Sequence, residues 1–150
     1  MKVLILGCGR VGAGLATLMS REGHEVTIVD RDGTAFRRLG SDFKGTRIVG
    51  SGIDQDTLLR AGVDRADAFI AVTPGDNTNI MATQIAKDKY GVPRAIARIY
   101  DPIRAEAYEK MGVPTYCSTC VGAGIIKDLI TGDPVRSYEE YAKLTAELGR

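Results

Sequence analysis

The chain has 150 residues, 44% of them hydrophobic and 26% charged, the composition of one globular domain with a buried core. Its formal net charge of +1 excludes a broad basic field for nucleic acid or an anionic membrane. No apolar run approaches the ~20 residues of a membrane span, so no direct insertion is expected.

The first six residues, Met1-Lys2-Val3-Leu4-Ile5-Leu6, meet a glycine too soon for a signal peptide. Three cysteines without a secretory signal fit a reducing compartment, and a cytoplasmic protein is expected. Short aliphatic and β-branched runs then alternate with helical patterns. Val3–Leu6, Glu25–Val29, Arg47–Val49, Ala68–Val72 and Ala95–Ile99 read as strands apolar on nearly every residue, as strands buried on both faces should be. Val11, Leu15 and Leu18 suggest the inner face of a first helix, and Ile80, Gln84 and Ile85 with Ala82 and Ala86 that of another. Gly23, Gly40, Gly62, Gly91 and Gly112 each follow a helical segment and mark its end. A helix over about Pro102–Met111, a short sixth strand at Thr115-Tyr116 and a helix from Val121 to about Ile130 complete the series. Such alternation predicts an α/β fold with right-handed crossovers, a doubly wound, six-stranded parallel Rossmann-like sheet of order 3-2-1-4-5-6. A change of character after Gly132-Asp133-Pro134 divides a Rossmann-like domain (residues 1–132) from a helical extension (133–150). There Ser137 and Glu140 form a capping box, and Tyr141, Leu144 and Leu148 fall on one helical face. That face needs either the domain's own surface or a second subunit, unless the tail is frayed.

Gly7-Cys8-Gly9-Arg10-Val11-Gly12 is a G-x-G-x-x-G directly after the first strand and opening the first helix, the context that makes the pattern specific. Gly7 permits the turn, Gly9 lets a phosphate approach the backbone, and Gly12 lets helix and sheet pack. The helix N-terminus offers its N–H groups and partial positive charge to the phosphates. Asp30 closes the second strand about twenty residues on, where a carboxylate can accept both ribose hydroxyls. This acid disfavours the 2′-phosphate of NADP, although Arg31 weakens the argument. NAD, ATP, ADP and AMP share the adenosine ribose and are not separated by it. Arg10 lies either toward the phosphates or toward solvent. A cation at a helix N-terminus is unfavourable without an anion, which favours the phosphates.

These residues resemble a family. Gly7–Gly12, Gly23-His24-Glu25-Val26, Val29-Asp30-Arg31-Asp32, Ala71-Val72-Thr73 with Asp76-Asn77, Ala97-Arg98-Ile99-Tyr100-Asp101 and Glu109-Lys110-Met111-Gly112-Val113 are similar to the N-terminal half of TrkA/KtrA-type regulators. These are RCK (KTN) domains that assemble on the cytoplasmic face of potassium channels and transporters. The resemblance covers residues 1 to about 132. It implies a regulatory subunit rather than an enzyme, binding ATP, ADP or NAD(H), dimeric or in a larger ring, and peripheral to the membrane through its transporter partner. It further implies that Arg10 and Arg98 hold phosphates, Asp30 the ribose, and Ser51-Gly52 the adenine, with Thr73 and Asn77 in the same site. The family usually has Gly-Asp where this chain has Gly50-Ser51, which alters the adenine contact. A glutamate matching Glu109 reaches a neighbouring subunit's nucleotide in these proteins, so a magnesium ion between Glu109 and ATP phosphates is a further expectation. Otherwise Glu109 is an exposed acid beside Lys110 or Arg104. Competing readings are a small NAD-dependent oxidoreductase, for which no proton donor is evident, and an RCK-type regulator of another transporter.

His24, the sole histidine, reads as a turn residue, and no catalytic triad can be built on it. Cys117-Ser118-Thr119-Cys120 lacks the four ligands of a structural zinc and is read as small residues at a helix start. Cys8 is expected to pack inside the glycine turn.

Overall fold

A computed structural model describes residues 1–144 and 148. Six strands, β1 (Lys2–Leu6), β2 (Glu25–Asp30), β3 (Thr46–Val49), β4 (Ala68–Ala71), β5 (Arg94–Ile99) and β6 (Thr115–Cys117), form a parallel sheet ordered β3-β2-β1-β4-β5-β6. This is the doubly wound order expected from the alternation of strands and helices. The helices are α1 (Arg10–Arg21), α2 (Gln55–Arg60), α3 (Asp76–Gln84), α4 (Pro102–Lys110), α5 (Ser118–Thr131) and α6 (Tyr138–Ala142). Short 3₁₀ turns occupy Gly33–Arg38 and Val63–Arg65, and a π-helical turn over Ile85–Lys89 continues α3. The chain forms two compact units, residues 1–97 and 98–150.

In the first unit, side-chain alternation sorts each strand between two cores. Val3 and Ile5 of β1 join Val26 and Ile28 of β2 against α1 and the 3₁₀ segment, through Ala13, Ala16, Ala35 and Leu39. Leu4 and Leu6 point the other way and pack with Val29, Leu58, Phe69 and Ala82. Phe69 pairs in register with Leu4, and Ala71 with Leu6, so the rows of β1 and β4 are continuous across the middle of the sheet. The edge strand β3 departs from the expectation of burial on both faces, since only Ile48 packs against the core while Thr46, Arg47 and Val49 are exposed. Lying at the sheet's end, it has a neighbour on one side only.

The buried face of α1 differs from the one its larger apolar residues suggest. Val11 and Leu18 are exposed, and the buried positions are Gly12, Ala13 and Ala16, with Leu15 and Met19 at the margin. Small residues win because α1 lies close to the glycine loop, where a Cβ at Gly12 would come 1.8 Å from the Gly7 carbonyl oxygen. In α3 the inner face likewise includes Asn79 and Thr83, both fully buried, where Gln84 was expected. Gly23, Gly62, Gly91 and Gly112 turn the chain in left-handed backbone after their segments, whereas Gly40 does not.

In the second unit, Asp101 caps α4 by accepting from the Ile103 and Arg104 N–H groups. Helix α5 begins three residues earlier than expected, because the Cys117 side chain caps it. Residues 133–144 fold back on α5. Tyr141 is buried against Gly124, its hydroxyl donates to Asp128 Oδ2 (2.9 Å), and the Arg136 guanidinium donates to both oxygens of the same carboxylate (2.9 and 3.0 Å). The capping box at Ser137 and Glu140 is present, and Leu144 packs beside Tyr141 over Gly124. The chain's own α5 therefore covers the Tyr141–Leu144 part of the expected face, while Leu148 is exposed. Residues 145–147 and 149–150 of the expected extension lie outside the described residues.

Candidate functional site

A cavity of about 360 Å³ opens at the carboxyl ends of β1, β2 and β4 in the first unit, lined by Leu6, Gly7, Asp30, Arg31, Gly52, Thr73, Pro74, Gly75 and Thr78. It sits where the strand order reverses between β1 and β4, the place where open α/β sheets bind ligands, and its size falls in the usual range of ligand pockets. Five of the residues singled out in the sequence meet here: Gly7, Asp30, Arg31, Gly52 and Thr73.

The glycine loop is built by close approach. Gly7 has φ +102°, and a Cβ there would lie 2.9 Å from the Thr73 nitrogen, so neither the conformation nor the space admits a side chain. Gly12 is excluded from change by the Gly7 carbonyl. Gly9 differs: its φ of −73° suits any residue, and a Cβ would meet nothing within 4 Å. Nothing among the described residues accounts for a glycine at this position, and the open space is what a phosphate approaching the backbone would use. Gly9 also precedes α1, whose first turn carries no acidic residue and no side-chain cap.

Asp30 does more than the sequence implied. Its Oδ2 accepts the Cys8 N–H (2.6 Å) and its Oδ1 the Asp32 N–H (2.9 Å), so the carboxylate ties the glycine loop to the end of β2. A carboxylate has roughly four lone-pair positions, which leaves acceptor capacity toward the cavity. Cys8, fully buried, donates its thiol to the Ala35 carbonyl (3.4 Å), and burial is the main reason that its pKa is raised. Beside Asp30, the Arg31 guanidinium donates to Ser51 Oγ (3.1 Å), bridging the ends of β2 and β3 at the cavity rim. Gly52 is required by Leu6, whose Cδ2 would be 2.1 Å from a Cβ.

The opposite wall rests on a residue that the sequence reading missed. Asn79 Oδ1 accepts from the Thr73 N–H (2.9 Å) and hydroxyl (2.7 Å), while its amide donates to the Thr73 carbonyl (2.9 Å). This buried side chain sets the shape of Thr73-Pro74-Gly75, three residues of the lining. Asn77, the residue picked from the sequence, is exposed on the first turn of α3 and does not line the cavity. The available signal was an asparagine one turn into a helix that follows a Pro-Gly turn, where it can face back to the loop.

Arg10, Val11 and Ser51 also stand outside the lining. Arg10, at the start of α1, borders a wide surface groove with Ala13, Gly14, Thr17, Leu18, Arg21, Arg38 and Gly40. Arg98 and Glu109 belong to the second unit. Arg98 is buried, with its guanidinium 4.5 Å from the centre of the Tyr100 ring, and Glu109 is exposed on α4. Lys110 pairs with Glu106 at 2.6 Å. No cluster of three or more metal-ligating side chains occurs among the described residues. His24 sits in the turn between α1 and β2, with Nδ1 3.4 Å from the amino terminus.

Residues 3–119 match the family model of the TrkA-N domain. A Trk system potassium uptake protein TrkA from Streptomyces coelicolor is 54% identical over 115 residues, covering 77% of this chain and 52% of that protein. The chain thus spans about half the length of this curated relative. The structure of GsuK bound to ADP is 25% identical with a TM-score of 0.73, covering 87% of this chain and 34% of that one. The GsuK channel bound to NAD is likewise 25% identical with a TM-score of 0.73, covering 95% of this chain and 24% of that one. Strand order, a glycine loop held by Asp30 and a family match over most of the sequence agree: the chain belongs to the TrkA-N domain family.

Proposed function

We propose that this chain is a nucleotide-sensing regulatory domain of a potassium uptake system and binds ADP, ATP or NAD(H) in the cavity between β1 and β4. The observation that carries the reading is the conjunction of Asp30, with acceptor capacity left over, and Gly9, a glycine that no described neighbour requires. Asp30 would hold the ribose hydroxyls, the loop amides and α1 the phosphates, and Arg31, Ser51 and Gly52 the adenine end. Arg10 and Arg98 would add charge at the distal phosphates. Binding of ADP and NAD by GsuK supports an adenine nucleotide, and the name of the Streptomyces relative supports potassium transport.

Residues 1–132 would be the binding domain and 133–150 its extension. The protein would act without covalent chemistry, at the cytoplasmic face, through a membrane transporter partner. No helix among the described residues is long and apolar enough to cross a membrane. A dimer or ring is supported by Ile126, Leu129 and Ile130, an exposed apolar stripe along α5. A magnesium ion at Glu109 would require phosphate oxygens and a second chain.

A thermal-shift panel of NAD, NADH, NADP, ATP, ADP and AMP tests the reading. A true ligand at ~100 times its dissociation constant should stabilise the fold by about 2.7 kcal/mol. The expected result is stabilisation by one or more nucleotides with a free 2′-hydroxyl and none by NADP. No shift with any of them, or preference for NADP, overturns it.

A further inference from the structure

The second unit holds a pair of thiols that nucleotide binding does not use. Cys117 ends β6 and caps α5, its sulfur accepting the Cys120 N–H (3.4 Å). The two sulfurs are 2.8 Å apart, and both residues are free cysteines. Only 4% of Cys117 and none of Cys120 is exposed, whereas Ser118 between them is half-buried and Thr119 exposed. With no cluster of three or more metal-ligating groups among the described residues, a closed structural zinc site is not formed there. Two thiols at the first turn of a helix, with sulfurs already in contact, are instead the arrangement from which a disulfide closes with little movement.

We propose that Cys117 and Cys120 are a reversible two-electron oxidation site that reacts with low-molecular-weight disulfides. The Cys117 thiolate attacks one sulfur of the incoming disulfide, forming a mixed disulfide and expelling one thiolate. The Cys120 thiolate then attacks Cys117 Sγ, closing the internal bond and expelling the second thiolate. Two protein thiols are thereby oxidised and one external disulfide is reduced to two thiols, with the two protons passing to water or the released thiolates.

The order of the steps follows from the surroundings. Burial, and then the hydrogen bond with Cys117, push the Cys120 thiol up to about 12, so Cys120 keeps its proton while Cys117 reacts. Cys117 occupies the N-cap of α5, where its sulfur accepts the Cys120 N–H and touches the Cys120 sulfur. Once Cys117 is in a mixed disulfide, Cys120, whose sulfur lies 2.8 Å from that of Cys117, is the thiol placed to attack it. Cys8, fully buried and donating to the Ala35 carbonyl in the other unit, serves as an internal control.

The folded chain is incubated with excess oxidised glutathione, quenched in acid, unfolded, alkylated and mapped by mass spectrometry. The expected product is a peptide carrying Cys117 and Cys120 that is unalkylated and lighter by two hydrogens, restored by dithiothreitol, with Cys8 alkylated throughout. Cys120→Ser should stop at a glutathione adduct on Cys117, whereas Cys117→Ser should take up glutathione at least about tenfold more slowly. Circular dichroism confirms that each variant is folded, and Cys→Ala versions replace any that is not. Alkylation of both cysteines in the treated native protein, a bond to Cys8, or equal reactivity of the two single variants would each overturn the proposal.

Discussion

Replacing Asp30 separates the loop-holding role that the structure gives its carboxylate from the ribose-binding role proposed for it. In Asp30→Ala the Cys8 N–H, on a fully buried residue, loses its Asp30 acceptor at 2.6 Å and has no ready access to water. An unsatisfied buried amide costs about 1–3 kcal/mol, whereas the Asp32 N–H, on an exposed residue, can turn to solvent. A loss near 2 kcal/mol should lower Tm by roughly 4–8 °C in a chain of this length. Asp30→Asn keeps one carbonyl oxygen for Cys8 and should stay within about 1 kcal/mol of the parent. Both variants remove the charged acceptor for the ribose. Each should therefore bind ADP or NAD about 10- to 150-fold more weakly, the equivalent of about 1.5–3 kcal/mol. Calorimetric titration gives the affinities and thermal melts the stabilities. Asp30→Asn binding like the parent, or Asp30→Ala melting like it, would refute the reasoning.

The remaining predictions use the same division between structure and ligand. Gly12→Ala should destabilise the fold by at least about 2 kcal/mol, since its Cβ would lie 1.8 Å from a carbonyl oxygen. Gly9→Ala should leave stability within about 1 kcal/mol yet weaken nucleotide binding at least tenfold, and melts paired with titrations would reveal the opposite pattern if the loop were merely a turn. Arg10→Ala and Arg98→Ala should penalise ATP and ADP more than AMP, and equal losses in titrations of all three would remove them from the distal phosphates. Asp128 is held down to about 2, chiefly by Arg136 and against its own burial. Because its folded pKa lies below the ordinary 3.8, its contribution is complete above that value and is lost as pH falls toward 2. Asp128→Asn should accordingly free the extension at neutral pH, seen as faster tryptic cleavage after Arg136, while acid should do the same to the parent.

How far the sequence carried depends on the range of the interaction concerned. Strand positions and order were legible because apolar runs alternating with helical segments leave a parallel sheet few ways to wind. Gly7, Gly12 and Asp30 were legible because a tight turn, a close helix and a strand-end acid recur at fixed spacing. Cys8 and the CxxC also fell where expected, in the glycine turn and at a helix start. The face of α1 was not legible. Hydrophobicity selects Val11 and Leu18, but the distance from the helix to the Gly7 carbonyl decides which residues fit, and that distance is set by the assembled sheet. Asn79 was missed for a related reason. An asparagine in a helix looks solvent-facing until the loop it closes, at Thr73, is brought back over it. The second task of Asp30, holding the Cys8 amide, likewise joins residues 22 apart in sequence. Local chemistry and periodicity thus determined the fold, the glycine loop and the acid at the end of β2 from the sequence itself. Which side chains pack, which polar groups brace the cavity and which two sulfurs touch were decided by tertiary contacts, because those depend on distances that exist only once distant segments have been folded together.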